Sequence, residues 1–70
     1  MGLAENVRIL LVVRKMTQKS LAEKIGVSPQ NLAGKLKRDN LSEEDLHNIA
    51  KACDATFKGG FTLNDTGKEI

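Results

Sequence analysis

Residues 17–36, TQKSLAEKIGVSPQNLAGKL, constrain the fold of this 70-residue chain more than any other stretch. Thr17 is a helix-capping residue, and the apolar residues that follow it recur at helical spacing. Gly26 stands where this helix should end, because glycine readily adopts the left-handed conformation found at helix C-termini. Ser28 is a second capping residue, and Pro29 fits the first position of a new helix. The stretch therefore predicts two short helices joined by a tight turn.

The same residues carry a resemblance to a known protein family. They are Gln18, Leu21, Ala22, Gly26, Val27, Ser28 and Leu32. In type and spacing they resemble the helix-turn-helix of phage-repressor and Cro-like regulators, often called Xre-type, and the resemblance extends over about residues 7–52. It implies a compact helical bundle that binds duplex DNA through the second helix of the motif. Two residues depart from the family pattern: Lys35 replaces a usual apolar residue, and Gly34 replaces a long polar one.

The resemblance also implies which residues meet DNA. The first turn of the second helix would reach base edges, and Gln30 and Asn31 could each bond an adenine edge. The small residues in the next turn would allow close approach, while Gln18, the lysines and Arg38 would contact phosphates. The predicted DNA-binding residues are Gln18, Lys19, Ser28, Pro29, Gln30, Asn31, Ala33, Gly34, Lys35, Lys37 and Arg38. The alternative is that Gln30 and Asn31 are exposed amides with no binding role.

The charge distribution favours a nucleic-acid partner, although the formal net charge is only +2. Residues 14–38 contain seven basic residues and one acid, so this window carries +6. The rest of the chain has four basic residues against eight acids and carries −4. Segregated positive charge is the electrostatic footprint expected of a phosphate-binding surface. Lysines that only keep a small protein soluble would not require the two signs to segregate.

The composition limits the other possibilities. The chain has two Phe and no Trp or Tyr, so its core must be largely aliphatic. The single Cys cannot form an internal disulfide, which suits a reducing cytoplasm. No apolar run approaches the roughly 20 residues of a membrane span, and the N-terminal segment has no basic leader or cleavage site. We therefore expect a cytoplasmic protein with no membrane association.

Two further helices should flank the central motif. Residues 3–16 are predicted to form the first one, with its inner face built around Val7, Leu10 and Leu11. The apolar residues Ile9, Val12 and Val13 lie on other sides of that helix, either covered within the bundle or in a subunit contact. The last helix should begin after Ser42, which with Asp45 forms a capping pair. Its buried face would include Leu46, Ile49, Ala50 and Cys53.

The residues after position 54 change from helical to alternating periodicity. Apolar residues at 55, 57, 61 and 63 predict a strand with one apolar face. Gly59-Gly60 interrupts it, which indicates either a bulge or a close approach by another backbone. Residues 64–67 fit a tight turn, after which residues 68–70 could return as a second strand. Because a lone hairpin is marginal in water, we expect it to pack on the helices or to pair with its own copy. The predicted dimerisation residues are Phe57, Phe61 and Leu63.

The sequence as a whole predicts a mainly α fold, a four-helix domain over residues 1–54 with a β-hairpin over residues 55–70. The expected function is sequence-specific binding of double-stranded DNA by a small bacterial or phage-type transcription regulator, acting as a homodimer. One alternative is a protein-interaction module, such as an antitoxin, whose tail binds a partner protein. Another, a non-specific nucleoid or RNA binder, is disfavoured by the scarcity of aromatic residues. With one His and one Cys, no metal site, cofactor or enzymatic activity is expected.

Overall fold

Four helices and a short antiparallel hairpin make up the fold in the computed structural model, which describes residues 3–70. In chain order the elements are α1 (Ala4–Arg14), α2 (Gln18–Ile25), α3 (Pro29–Arg38), α4 (Glu43–Ala52), β1 (Ala55–Phe57) and β2 (Phe61–Leu63). The predicted mainly α architecture with a C-terminal hairpin is therefore confirmed. Helix α1 ends two residues earlier than predicted, because Lys15 adopts the left-handed conformation with a φ of 56°. None of the helices in residues 3–70 is long and apolar enough to cross a membrane.

The predicted capping residues form the ends of three helices. The Thr17 hydroxyl accepts a hydrogen bond from the Ser20 N–H at 3.0 Å, which starts α2. Gly26 ends that helix with a φ of 81°, and the Ser28 hydroxyl then caps α3. Helix α4 begins with a full capping box, in which Ser42 and Asp45 each bond the backbone N–H of the other. These local bonds satisfy the backbone donors that a helix N-terminus leaves without partners.

Helix α1 is capped by a residue that is distant in the chain. Its own flanking residue, Leu3, makes no side-chain capping bond. Instead the Ala4 N–H donates to the Asp39 carboxylate at 3.0 Å. Asp39 follows the last residue of α3 in a left-handed conformation, with a φ of 54°. The end of α3 thereby fixes the start of α1, a contact that local sequence patterns do not reveal.

A single hydrophobic core joins all four helices to the C-terminal tail. Its buried members are Ala4, Val7, Leu10, Leu11, Leu21, Ala22, Leu32, Leu36, Leu46, Ile49, Ala50, Cys53, Ala55, Phe61 and Leu63. Phe61 is fully buried and is the largest side chain in this core. The predicted division at residue 54 coincides with the turn between α4 and β1. No separate core forms on the tail side of that turn among the described residues.

The tail folds differently from its prediction at Gly59-Gly60. These glycines form the turn of the hairpin and not a bulge, since β1 pairs with β2 in the register Ala55↔Leu63. The predicted close approach by another backbone is present at Gly60, where an added Cβ atom would lie 3.4 Å from the Ile70 carbonyl oxygen. Lys58 N–H closes the turn by donating to the Gly60 carbonyl at 2.8 Å. The predicted alternation of apolar residues is present, but it spans two short strands and not one, because the periodicity continues smoothly across a short turn.

The second predicted turn is present and leads to a third extended segment. Gly67 has a φ of 75° and its N–H donates to the Leu63 carbonyl at 2.8 Å. Residues 68–70 then run antiparallel to β2, and the Ile70 N–H donates to the Phe61 carbonyl at 2.8 Å. Strand β2 is consequently flanked by backbone partners on both sides.

The predicted dimerisation residues point mainly into their own subunit. Phe61 is 0% exposed and Leu63 is 3% exposed, so neither can contact a second copy in this conformation. Phe57 is half-buried, with its ring centroid 5.3 Å from those of both His47 and Phe61. A dimer contact through Phe61 and Leu63 is therefore corrected to a core role. The apolar face of the hairpin covers the helices, which satisfies the need for burial that motivated the dimer prediction.

Arg14 links the end of α1 to the tail. Its guanidinium donates to both carboxylate oxygens of Asp65, at 3.0 and 2.8 Å. It also donates to the backbone carbonyls of Cys53 and Asp54, at 2.8 and 3.0 Å. The hydrogen bonds from Arg14 to the Asp65 carboxylate are the main cause that lowers the pKa of Asp65 to about 2. Arg14 therefore holds together α1, the end of α4 and the second turn of the tail.

Candidate DNA-binding surface

Helix α3 has one buried side and one side that faces solvent. Leu32 and Leu36 are 1% and 2% exposed and anchor the helix on the core. At about 100° per residue, the direction opposite these leucines passes through Gly34. Gln30 and Arg38 lie beside Gly34, four residues before and after it. Lys37 and Asn31 complete the exposed side of the helix.

The first turn of α3 presents polar groups at a helix N-terminus. The Ser28 hydroxyl is engaged as the cap, accepting from the Asn31 N–H at 3.1 Å, and Pro29 is half-buried. Gln30 and Asn31 are exposed, and their side-chain amides make no hydrogen bond to any other residue within 3–70. Both amides are therefore available to an external hydrogen-bonding partner. Because an amide carries a donor and an acceptor, it matches the paired groups on an adenine edge.

The exposed side of α3 is shallow at its middle, because Gly34 has no side chain and the Arg38 side chain folds back over it. A methyl group placed on Gly34 would come within 3.1 Å of the Nη2 atom of Arg38. The guanidinium of Arg38 thus lies over Gly34, at the end of a flexible side chain. Ala33 is exposed at the edge of the same side. The floor of a DNA groove could approach this part of the α3 backbone once the Arg38 side chain rotates outward.

Lys35 occupies a different environment from the other predicted phosphate ligands. Its ammonium contacts the two carboxylate oxygens of Asp45 at 3.1 and 3.0 Å, and its side chain is 33% exposed. Burial works to raise the pKa of Asp45, but bonds from the Ser42 N–H and from Lys35 outweigh it and leave that pKa lowered. Lys35 therefore forms an ion pair that joins α3 to α4, and its contact with a phosphate stays a prediction. Its substitution for the family's apolar residue is explained by the acid facing it.

The remaining positive charges near α3 have no acidic partner within the described part of the chain. Lys37 and Arg38 are exposed and form no ion pair there, and Lys19 is exposed on α2. Gln18 is the first residue of α2, where backbone N–H groups lack intrahelical acceptors and favour an anion. Two of the seven basic residues in the charged window are neutralised, Arg14 by Asp65 and Lys35 by Asp45. The window's +6 is thereby reduced to an effective 6 − 2 = +4.

Within residues 3–70, the surroundings of the His and Cys residues differ from those of a metal site. No group of three or more His, Cys, Asp and Glu side chains comes together there. His47 lies 3.7 Å from Glu43 on the exposed side of α4 and meets the ring of Phe57 edge-on. Cys53 is buried, and burial raises the pKa of its thiol. These residues have structural surroundings that account for them.

Some residues that shape the site were not singled out from the sequence. Asp39 caps α1 from the end of α3, and Asp65 binds Arg14. Asp39 and Asp65 carried no helix-capping pattern of their own, since their partners lie 35 and 51 residues away. The unusual lysine at position 35 was visible, and an acid at the start of α4 was the signal that could have identified its partner.

Comparison with known proteins agrees with the site. The model of the Cro/C1-type HTH DNA-binding domain matches residues 6–58, which include all four helices almost completely and β1. No curated protein and no solved structure gives a significant match to the chain. The matched residues cover well over half of the chain and include both helices of the motif and the exposed side of α3. On this evidence the chain belongs to the Cro/C1-type helix-turn-helix DNA-binding domains.

Proposed function

We propose that this domain recognises a specific sequence of double-stranded DNA by inserting α3 into the major groove, as a small bacterial or phage-type transcription regulator. The observation that carries the proposal is the exposed side of α3. It combines exposed amides at the first turn, a shallow centre at Gly34, and positive charge at Lys37 and Arg38 that has no acidic partner within residues 3–70. Helices of this motif read base edges with their N-terminal residues, which is where the amides lie.

The two ends of α3 contact different parts of the DNA. Gln30 and Asn31 at its start contact bases, and Lys37 and Arg38 at its end contact the phosphates that border the groove. The N-terminus of α2, with Gln18 and Lys19, contacts a second phosphate. Lys35 contributes indirectly, because its bond to Asp45 holds the angle between α3 and α4.

A homodimer follows from the small size of this reading surface. One recognition helix contacts only a few base pairs, which gives one domain little specificity. Two copies related by a two-fold axis would place two such helices on successive major grooves about 34 Å apart. The preferred DNA site would then be nearly palindromic. The domain needs no enzymatic activity or cofactor for this role, and it acts in the cytoplasm where it meets DNA.

The alternative of a protein-interaction module, such as an antitoxin whose tail binds another protein, has weaker support. A tail hairpin that stayed exposed, packed neither on the helices nor on a copy of itself, would have favoured this alternative. Phe61 and Leu63 pack inside the domain, which leaves Phe57 as the half-buried aromatic residue of that segment.

The proposal is tested by selecting bound duplexes from a random double-stranded DNA pool with the purified protein. We expect enrichment of one motif with two related halves, and affinity for it well above that for a scrambled duplex of equal length. The variant with Gln30→Ala and Asn31→Ala serves as the control, because both side chains are exposed and their loss leaves the core intact. Failure to enrich any motif, or equal affinity for selected and scrambled duplexes, would contradict sequence-specific recognition.

A further inference from the structure

Helix α1 has a second apolar side that the monomer leaves exposed. Ile9, Val12 and Val13 are 44%, 76% and 40% exposed. Their spacing of three and four residues places them side by side as one ridge, here called the α1 stripe. The stripe lies on the side of α1 opposite the buried residues Val7 and Leu11. The monomer therefore buries one face of α1 and presents a second apolar face to solvent.

Local helix formation does not explain these three residues. Valine and isoleucine are weaker helix formers than the alanine, lysine or glutamate common on exposed helix surfaces. Single exposed apolar residues are ordinary, but an adjacent set on one ridge is typical of an interaction site. Contact with another molecule gives the stripe a physical reason that the monomer does not supply.

The charges at the ends of the stripe indicate what covers it. Glu5 precedes the stripe at the N-terminal end of α1 and is 74% exposed in its side chain, with a contact of 3.6 Å to Arg8. Lys15 follows the stripe at the other end and is exposed. The acid and the base are separated by ten residues, or about 15 Å along the helix. A second α1 lying antiparallel would place Glu5 of each copy near Lys15 of the other.

We propose that the α1 stripe is the contact between two copies of this chain, formed by antiparallel packing of their α1 helices about a two-fold axis. A two-fold contact requires a surface that is complementary to itself, and this stripe has an apolar centre with opposite charges at its ends. The inference rests on the proposed function, because it supplies the homodimer's interface. The α1 stripe takes the place of the predicted dimer contact at Phe61 and Leu63, because both of these side chains are buried in the core of the monomer.

The size of the stripe predicts a weak dimer in free solution. Three partly exposed side chains per copy bury far less than the roughly 1,200–2,000 Å² of a stable protein interface. DNA compensates, because two copies bound on adjacent half-sites meet at a high effective concentration. We therefore expect self-association only at high protein concentration, together with cooperative binding to a duplex that carries two half-sites.

The first test compares the wild type with Val12→Gln by sedimentation from micromolar to millimolar concentration. Glutamine keeps the helix and the net charge but places an unpaired amide in the contact, so we expect self-association to weaken by about tenfold or more. Asn48→Gln, an exposed site on α4, is the matched control and should associate like the wild type. A wild type that stays monomeric at millimolar concentration, or a Val12→Gln variant that associates equally well, would overturn the inference.

The second test separates this inference from the proposed function by using the selected duplex with both halves intact and with one half scrambled. Val12→Gln should match the wild type on the single half and lose cooperativity on the intact duplex. If the wild type prefers neither duplex to a random sequence, the proposed function fails. If it binds a single half specifically but shows no cooperativity, or if Val12→Gln keeps the cooperativity, only the α1 contact fails. Binding of a different protein to the stripe, by a chain that does not associate with itself, would also overturn the contact between copies.

Discussion

The replacement Phe61→Ala tests whether the tail belongs to the core of the monomer. Phe61 is fully buried and in contact with Phe57, and its backbone exchanges hydrogen bonds with that of Ile70. Buried Phe→Ala changes typically cost about 3–5 kcal/mol, from lost apolar transfer and from the cavity left behind. At about 0.05–0.15 kcal/mol per residue, a chain of this length has a total stability of roughly 4–10 kcal/mol. The single change should therefore remove a large share of the domain's stability.

Phe57→Ala provides the matched control, because it removes the same atoms from the neighbouring strand. Phe57 is half-buried and its main neighbours are the rings of His47 and Phe61. We expect a cost of about 1–2 kcal/mol from partial burial and edge contacts. The two variants thus differ in burial and not in chemistry.

The assay is urea unfolding followed by far-ultraviolet circular dichroism, repeated at two micromolar protein concentrations. A monomer core predicts a large loss for Phe61→Ala that is independent of protein concentration. If the tail were instead stabilised by a partner subunit, the unfolding midpoint would rise with concentration. A cost below about 1 kcal/mol for Phe61→Ala, or one no larger than that of Phe57→Ala, would refute the placement of the tail.

Three further changes probe the surface and its support. Lys37→Ala combined with Arg38→Ala should weaken binding to all duplexes alike. In a salt titration, the slope of the logarithm of the binding constant against the logarithm of salt concentration should become shallower by about 2, since each lost phosphate contact removes about one released counterion. An unchanged slope would place the phosphate contacts elsewhere. Gly34→Ala should raise the melting temperature, because alanine favours a helix by about 1 kcal/mol relative to glycine. It should also weaken specific binding, because the added methyl group fills the shallow centre of the exposed side of α3. Wild-type affinity in this variant would show that close approach of DNA at Gly34 is unnecessary. Asp65→Asn should lower stability at neutral pH. Because the folded pKa of Asp65 is about 2, below its ordinary value of about 4, the difference from wild type in urea midpoint should shrink as pH falls from about 4 towards 2. No difference at neutral pH, or a difference that stays constant with pH, would mean that the ion pair does not stabilise the fold.

Local patterns in the sequence predicted most of the helical fold. Thr17, Gly26, Ser28 and Ser42 define helix ends through bonds within three or four residues, so their patterns are readable without the fold. The tail was harder, because alternating apolar residues look the same across a short turn as along one strand. Only the pairing of Ala55 with Leu63 shows that a turn lies between them.

The candidate site could be predicted in outline but not in its charge pairing. The sequence identified α3 and its exposed residues, since the leucines at 32 and 36 fix which side is buried. It treated every lysine and arginine in the basic window alike. Whether a base is neutralised depends on acids brought close by folding, as Asp65 is to Arg14 and Asp45 is to Lys35. The exposure of the α1 stripe was likewise left open, because a second apolar side can be covered by any neighbouring element.

The most direct test of DNA recognition by α3 is the base preference of Gln30→Ala and Asn31→Ala on the selected duplex. Binding of wild type and each variant would be measured against duplexes carrying every single base change in one half-site. We expect each variant to lose roughly 1–3 kcal/mol of discrimination at one position of the half-site while keeping the wild-type preference at the other positions. Unchanged base preferences in both variants would contradict readout by the first turn of α3.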